Sequence, residues 1–162
     1  MQGKIIENIS NLYKVEVNKE IYEATARGKF KKDEISPVVG DNVEIQVINE
    51  QEKKAVINKI EERDVYIKRP KLANISQIVL VLSSKHPKPD LLMLDKQLAF
   101  AELMGIKAII VLNKIDLDKD KSFGMIKEIY QDIGYTVIET EAKNKKGILI
   151  WHQDPWYNRI SR

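Results

Sequence analysis

The feature that most constrains this chain is the apolar run Ile109-Ile110-Val111-Leu112 followed directly by Asn113-Lys114-Ile115-Asp116. A short, continuous apolar run suits a strand buried on both faces, which is the environment of a parallel sheet covered by helices. Ligands of such sheets bind at the carboxyl ends of the strands, and the polar tetrad stands at that end. An Asn-Lys-x-Asp sequence there suits guanine. The Asp116 carboxylate can accept both N–H donors on the Watson–Crick edge of guanine, a pair that adenine does not present. The Asn113 amide reaches the other edge of the base, and the Lys114 stem lies over the ring while its ammonium braces a phosphate loop. Yet no G-x-x-x-x-G-K-[ST] sequence occurs anywhere in the 162 residues. The chain reads as half of a nucleotide site.

The surrounding rhythm supports a parallel α/β unit. Ile78-Val79-Leu80-Val81-Leu82 is a second apolar run of strand length. Asp90 can cap a helix over Leu91 to Met104, closed by Gly105. A helix from about Lys121 to Ile133 ends at Gly134, and Tyr135-Thr136-Val137-Ile138 makes a last strand. Strand, helix, strand, helix, strand is the order expected of a parallel sheet.

Upstream the period changes to two. Leu12 to Val17, Ile21 to Ala26 and Val43-Glu44-Ile45-Gln46-Val47 alternate as half-buried strands do, with Ile5 to Ile9 and Ala55 to Ile60 beside them. Five short strands in about sixty residues imply a small closed barrel, either an OB-fold or an SH3-like barrel. The expected fold is therefore α+β in two domains. A five-stranded OB-fold-like β-barrel over residues 1–62 and a linker over 63–75 precede a partial parallel-sheet α/β domain over 76–147. Residues 148–162 contain neither Lys nor Glu but hold both tryptophans, Trp151 and Trp156. They read either as a foreign or frameshifted tail or as a natural amphipathic end.

Composition excludes several classes. With no cysteine there is neither a disulfide framework nor a thiolate zinc site. His86 and His152 stand far apart and read as ordinary exposed residues. A net charge of +3 is too mild to imply nucleic-acid binding by itself. No apolar stretch approaches the ~20 residues needed to span a bilayer, and the first residues lack the long apolar core of a signal peptide. These features point to a cytoplasmic protein without a membrane partner. The local cluster Arg27, Lys29, Lys31 and Lys32, with Phe30 interleaved, is the best nucleic-acid candidate, because cations meet phosphates and an exposed aromatic stacks on bases. Its bland alternative is a solvated loop with Phe30 tucked into the barrel. Lys68, Arg69 and Lys71 would extend the same surface. Asp95-Lys96 reads as an ordinary solvated helix pair.

Taken in order, several stretches resemble the ribosome small subunit-dependent, circularly permuted GTPases, the RsgA/YjeQ family. These are Gly3-Lys4-Ile5-Ile6, Arg27-Gly28-Lys29-Phe30, Val39-Gly40-Asp41-Asn42-Val43, Arg69-Pro70, Ala73 to Gln77, Leu94-Asp95-Lys96, Asn113 to Asp116 and Glu141-Ala142-Lys143. The resemblance covers roughly residues 3–147. It implies an OB-fold followed by the guanine-recognition half of a circularly permuted P-loop GTPase domain. Guanine would be held by Asn113, Lys114, Ile115, Asp116, Ala142 and Lys143, and RNA by Arg27, Lys29, Phe30, Lys31, Lys32, Lys68 and Arg69. The family implies GTP or GDP with magnesium, a zinc domain absent from this chain, and the small ribosomal subunit and its rRNA as partners. Its function is ribosome-stimulated GTP hydrolysis during late maturation of that subunit. In the family the second guanine segment usually reads Ser-Ala-Lys; here Glu141 replaces the serine and puts negative charge nearby. The chain is expected to be an N-terminal half that cannot hydrolyse GTP alone. An RNA-binding barrel with no nucleotide role and an inert truncation product are the alternatives.

Overall fold

The computed structural model describes residues 1–28, 30 and 36–147. It divides into two compact units, the first Met1–Ile75 and the second beginning at Ser76.

The first unit is built by alternation. Strands β1 (Gln2–Ile9), β2 (Leu12–Val17), β3 (Glu20–Ala26), β4 (Asn42–Asn49) and β5 (Lys54–Ile60) close a barrel in the order β1-β2-β3-β5-β4. In β2 and β4 every second side chain points inward. The core therefore gathers Ile5, Tyr13, Val15, Tyr22, Val43, Ile45 and Ile57. Two-residue turns join the first three strands: Ser10-Asn11 and Asn18-Lys19, all four at positive φ. That left-handed pair matches the twist of a tight hairpin. β3 and β5 run parallel, while β1 and β4 close the seam antiparallel with Gly3 opposite Val43. This strand order selects the OB-fold over the SH3-like alternative.

Residues expected to form a linker instead contain a hairpin, β6 (Tyr66–Lys68) paired with β7 (Lys71–Ala73). Three-residue strands are too short to leave a period in the sequence. Tertiary contacts hold the hairpin to the barrel. The Ala73 N–H donates to the Val39 carbonyl at 2.9 Å. Arg63 grips the fully buried Asp41 with two hydrogen bonds, Nε to Oδ1 at 2.7 Å and Nη2 to Oδ2 at 2.8 Å. Its guanidinium also lies 4.5 Å from the centre of the Tyr66 ring. Gly40 is required at this junction: its φ is +94°, and a Cβ there would stand 1.8 Å from the Ala73 carbonyl oxygen.

The second unit is a three-stranded parallel sheet, β8 (Gln77–Ser83), β9 (Lys107–Asn113) and β10 (Thr136–Thr140), with β9 in the middle. Helix α1 (Leu91–Leu103) packs on β8 and β9, and α2 (Ser122–Asp132) packs on β10. Asp90 caps α1 by accepting the Met93 N–H at 3.0 Å. Asp118 does the same for α2, accepting from Ser122 and Phe123. The helices turn Leu94, Leu98, Phe123, Ile126 and Tyr130 inward. The Tyr130 hydroxyl ties them together by donating to Asp95 Oδ1 at 2.6 Å, so Asp95 has a structural partner on the other helix. Among the described residues no helix is long and apolar enough to cross a membrane.

Candidate guanine-recognition site

The register of the parallel sheet brings three strand ends together. Ser83 of β8 and Thr140 of β10 both stand beside Asn113, the last residue of β9. The Asn113 side chain is held there by three donors to a single atom. Its Oδ1 accepts from the Lys114 N–H at 2.8 Å, the Thr140 hydroxyl at 3.1 Å and the Ala142 N–H at 3.2 Å. An amide whose oxygen is so engaged keeps its NH₂ group for another partner. Asn113 can therefore offer donors, and it suits a ligand edge that carries an acceptor.

The chain then bends sharply. Lys114 has a left-handed backbone, φ +61° and ψ +40°, and its carbonyl accepts from the Ser84 hydroxyl at 2.7 Å and the Leu117 N–H at 2.9 Å. This starts a 3₁₀ turn over Ile115–Leu117 that lifts Asp116 to the surface. Asp116 is exposed, and its carboxylate has no hydrogen bond or ion pair among the described residues. The Lys114 ammonium turns back over the loop after β8, donating to the His86 carbonyl at 2.7 Å and the Lys85 carbonyl at 3.3 Å.

The other arm of the site follows β10. Ala142, Lys143 and Asn144 form a second 3₁₀ turn, and Lys143 is exposed. Glu141 is 6 % exposed. Its carboxylate pairs with Lys146 Nζ at 3.1 Å and accepts from the Asn144 amide. The negative charge expected beside the base is thus neutralised inside its own loop. The N–H of Ala142, one of the residues expected to hold guanine, donates to Asn113 Oδ1. Gly147 (φ +75°) ends the loop against the Glu139 carbonyl, where a Cβ would stand 2.2 Å away.

Two of these groups, Ser84 and Thr140, escaped the reading of the sequence. Both are buried hydroxyls, 7 % and 3 % exposed. Each acts about thirty residues from its partner, so no local pattern betrays them.

The cationic residues are distributed differently. Lys29, Lys31, Lys32 and residues 148–162, with His152, Trp151 and Trp156, lie outside the described residues. Phe30 corrects the expectation of a stacking aromatic: it is 9 % exposed and belongs to the barrel core. Arg27 is exposed and donates to Gln46 Oε1 at 2.8 Å. Lys68 and Lys71 face each other across the exposed hairpin tip, with Arg69 in the turn between them. Arg27 borders a cavity of about 450 Å³ and Lys71 one of about 280 Å³; Tyr13, Ser36 and Pro37 line both. The two cationic positions therefore flank adjoining clefts of the barrel. Burial, aided by the nearby Asp41 carboxylate, pushes the pKa of the Tyr13 phenol up, so it remains a neutral hydroxyl at neutral pH.

No cluster of three His, Cys, Asp or Glu side chains among the described residues is placed to hold a metal ion.

Comparison with known proteins agrees with this fold. Residues 2–57 match the RsgA N-terminal domain and residues 53–153 match the RsgA GTPase family. The chain is 41 % identical over 147 residues to the small ribosomal subunit biogenesis GTPase RsgA of Alkaliphilus metalliredigens, and 42 % identical over 148 residues to that of Clostridium acetobutylicum. In both cases the alignment covers 91 % of this chain and 50 % of the relative, so the chain spans about half the length of the curated relatives it matches. Among solved structures it is similar to YloQ, a circularly permuted GTPase, with a TM-score of 0.74 and 35 % identity over 88 % of this chain and 52 % of that one. It is also similar to YjeQ from Thermotoga maritima, with a TM-score of 0.80 and 28 % identity over 94 % of this chain and 55 % of that one.

Proposed function

The chain belongs to the RsgA GTPase family, and from that premise we propose that its second unit recognises guanine while its barrel binds RNA of the small ribosomal subunit. The observation that carries the first part is the three-donor grip on Asn113 Oδ1. It leaves the amide NH₂ to meet the acceptor-bearing edge of guanine, while the unpaired Asp116 carboxylate accepts from the opposite edge. Asn113, Lys114, Ile115, Asp116, Ala142 and Lys143 make up this half-site within residues 76–147, and GDP or GTP is its ligand. The names of the relatives support a role in small-subunit biogenesis, in the cytoplasm.

These residues recognise a base; they do not transfer a phosphoryl group. That chemistry needs amides and a lysine around the phosphates together with bound magnesium, and no phosphate-loop sequence occurs in these 162 residues. Hydrolysis by this chain alone is therefore not expected. Affinity should be low as well. A bidentate base contact is worth ~1–3 kcal/mol, whereas micromolar binding requires about 8 kcal/mol, so the dissociation constant falls at roughly millimolar or weaker.

Titration with GDP and with ADP, followed by two-dimensional NMR of the backbone amides, tests the reading. Shifts at residues 113–117 and 141–143 with GDP only are expected. Equal responses to both nucleotides, or none up to millimolar GDP, would sink it and leave the barrel as an RNA-binding module without a nucleotide role. That second reading is favoured by the cationic hairpin tip, Lys68, Arg69 and Lys71, beside the cleft lined by Tyr13. Lys29, Lys31, Lys32 and Arg27 would add phosphate contacts, with Phe30 supporting the cleft from within. RNA affinity should then fall steeply with salt, and replacing Lys68, Arg69 and Lys71 by glutamate should flatten that slope.

A further inference from the structure

We infer that Ser84, which lies outside both guanine-binding segments, is a positioning residue that aims Asp116 and so sets the preference of the site for guanine over hypoxanthine. The inference rests on the guanine reading of the same site and adds to it the origin of its selectivity.

Ser84 follows the last residue of β8 and is 7 % exposed. It makes two hydrogen bonds to the motif. Its N–H donates to the Asn113 carbonyl at 3.2 Å, and its hydroxyl donates to the Lys114 carbonyl at 2.7 Å. The second bond matters more. The Lys114 carbonyl is also the acceptor that opens the 3₁₀ turn, receiving the Leu117 N–H at 2.9 Å. Asp116 sits in the middle of that turn, between the anchored peptide and Leu117.

Lys114 is held in a left-handed conformation, which costs a non-glycine residue on the order of 1 kcal/mol and persists only when its surroundings impose it. On the carbonyl side of Lys114, the surroundings that do so are the Ser84 hydroxyl and the Leu117 amide. The Lys114 ammonium returns to the same loop through the Lys85 and His86 carbonyls, so the segment after β8 and the motif clasp each other at both ends of one lysine. Without the hydroxyl, the peptide between Lys114 and Ile115 keeps only the Leu117 N–H, a partner inside the turn itself, and loses its tie to the segment after β8, so the turn bearing Asp116 can rotate. Asn113 is held separately, by Lys114, Thr140 and Ala142, so its contact with the base should survive.

Guanine and hypoxanthine differ only in the exocyclic amine, one of the two donors that Asp116 accepts. The ratio of GDP to IDP affinity therefore reports the aim of Asp116. A purely structural loss would weaken both ligands alike and leave the ratio unchanged.

The test is to titrate the full chain, Ser84→Ala and Ser84→Thr with GDP and with IDP, reading the amide shifts of residues 113–117. A hydrogen bond to a charged group is worth at least about a tenfold change in affinity, so the unaltered chain should prefer GDP by about tenfold or more. Ser84→Ala should reduce that preference to under about threefold, and Ser84→Thr, which keeps the hydroxyl, should restore it. Hydrogen exchange at the Leu117 amide without ligand should accelerate in Ser84→Ala alone. A tenfold preference retained by Ser84→Ala, a loss in Ser84→Thr equal to that in Ser84→Ala, or unchanged Leu117 exchange would each overturn the role assigned to Ser84. If the unaltered chain itself shows no preference between GDP and ADP, the guanine reading fails first and this inference falls with it.

Discussion

The barrel and the sheet solve the same problem, burying apolar strands, in opposite ways. In the barrel every strand has two neighbours, and β1 and β4 meet to close the ring. Among the described residues β8 and β10 each have one neighbour in the sheet, and Val81 of β8 is 59 % exposed. Apolar side chains also stay out in the open on the helices: Leu92 at 65 %, Leu103 at 83 % and Met125 at 68 % exposure. Closure lets the barrel concentrate its interior around Ile5, Tyr13, Ile45 and Ile57 and spend surface charge freely. At the carboxyl end of the sheet Asn113 and Thr140 meet, and the turns that follow them expose Asp116 and Lys143. The difference teaches that stability and chemistry are unequally shared: the barrel is built to hold, the sheet to present.

Several substitutions can break or sharpen this contrast. The largest effect is expected from Arg63→Ala, which leaves the fully buried Asp41 carboxylate without its cation. Such a loss costs about 3–5 kcal/mol, to be read from the denaturant midpoint of the barrel amides; under 1 kcal/mol would mean the pair is dispensable. Ile57→Val, at a site with no exposure, should cost about 0.5–1.5 kcal/mol by the same measurement. In the second unit the counterpart is Tyr130, whose pKa is pushed up to about 12 by burial and by its bond to Asp95. The folded state favours the neutral phenol, so its contribution is complete below pH 10 and is lost as pH rises toward 12. Thermal melts across that range should show the decline, and Tyr130→Phe should lessen it. The smallest effect on stability is expected from Val81→Lys, within about 0.5 kcal/mol. A charge on an open edge should nevertheless discourage strand-to-strand association, detectable by sedimentation; equal association before and after would show that the edge does not drive it.

What the sequence disclosed follows the same division. Val43-Glu44-Ile45-Gln46-Val47 announces its strand because each inward residue is separated by an outward one, and the structure keeps that alternation. The Asn113 motif is legible because its apolar run fixes where the strand must end. The β6–β7 hairpin is not legible, since its order comes from Asp41, Gly40 and Val39, all more than twenty residues earlier. Phe30 lies outside any strand, so no period assigns it to the core. Ser84 and Thr140 are ordinary hydroxyls until the register places them beside Asn113. Local pattern gives elements; only their pairing gives the shell around a site.

The seam of the barrel also bears on how the molecule is reached in time. β1–β2 and β2–β3 join through two-residue turns, and such hairpins form in roughly 1–10 μs. The seam that sets Gly3 against Val43 must first enclose about forty residues, and loop-closure entropy is charged before that contact returns anything. Non-local pairing of this kind governs the rate of small β proteins. A mutation at Gly3, where a Cβ would meet Val17 and the Glu16 carbonyl of β2 within 2.7 Å, should therefore strain the β1–β2 hairpin at the end that leads into the seam, slowing ring closure while leaving the β2–β3 hairpin to form at its usual pace.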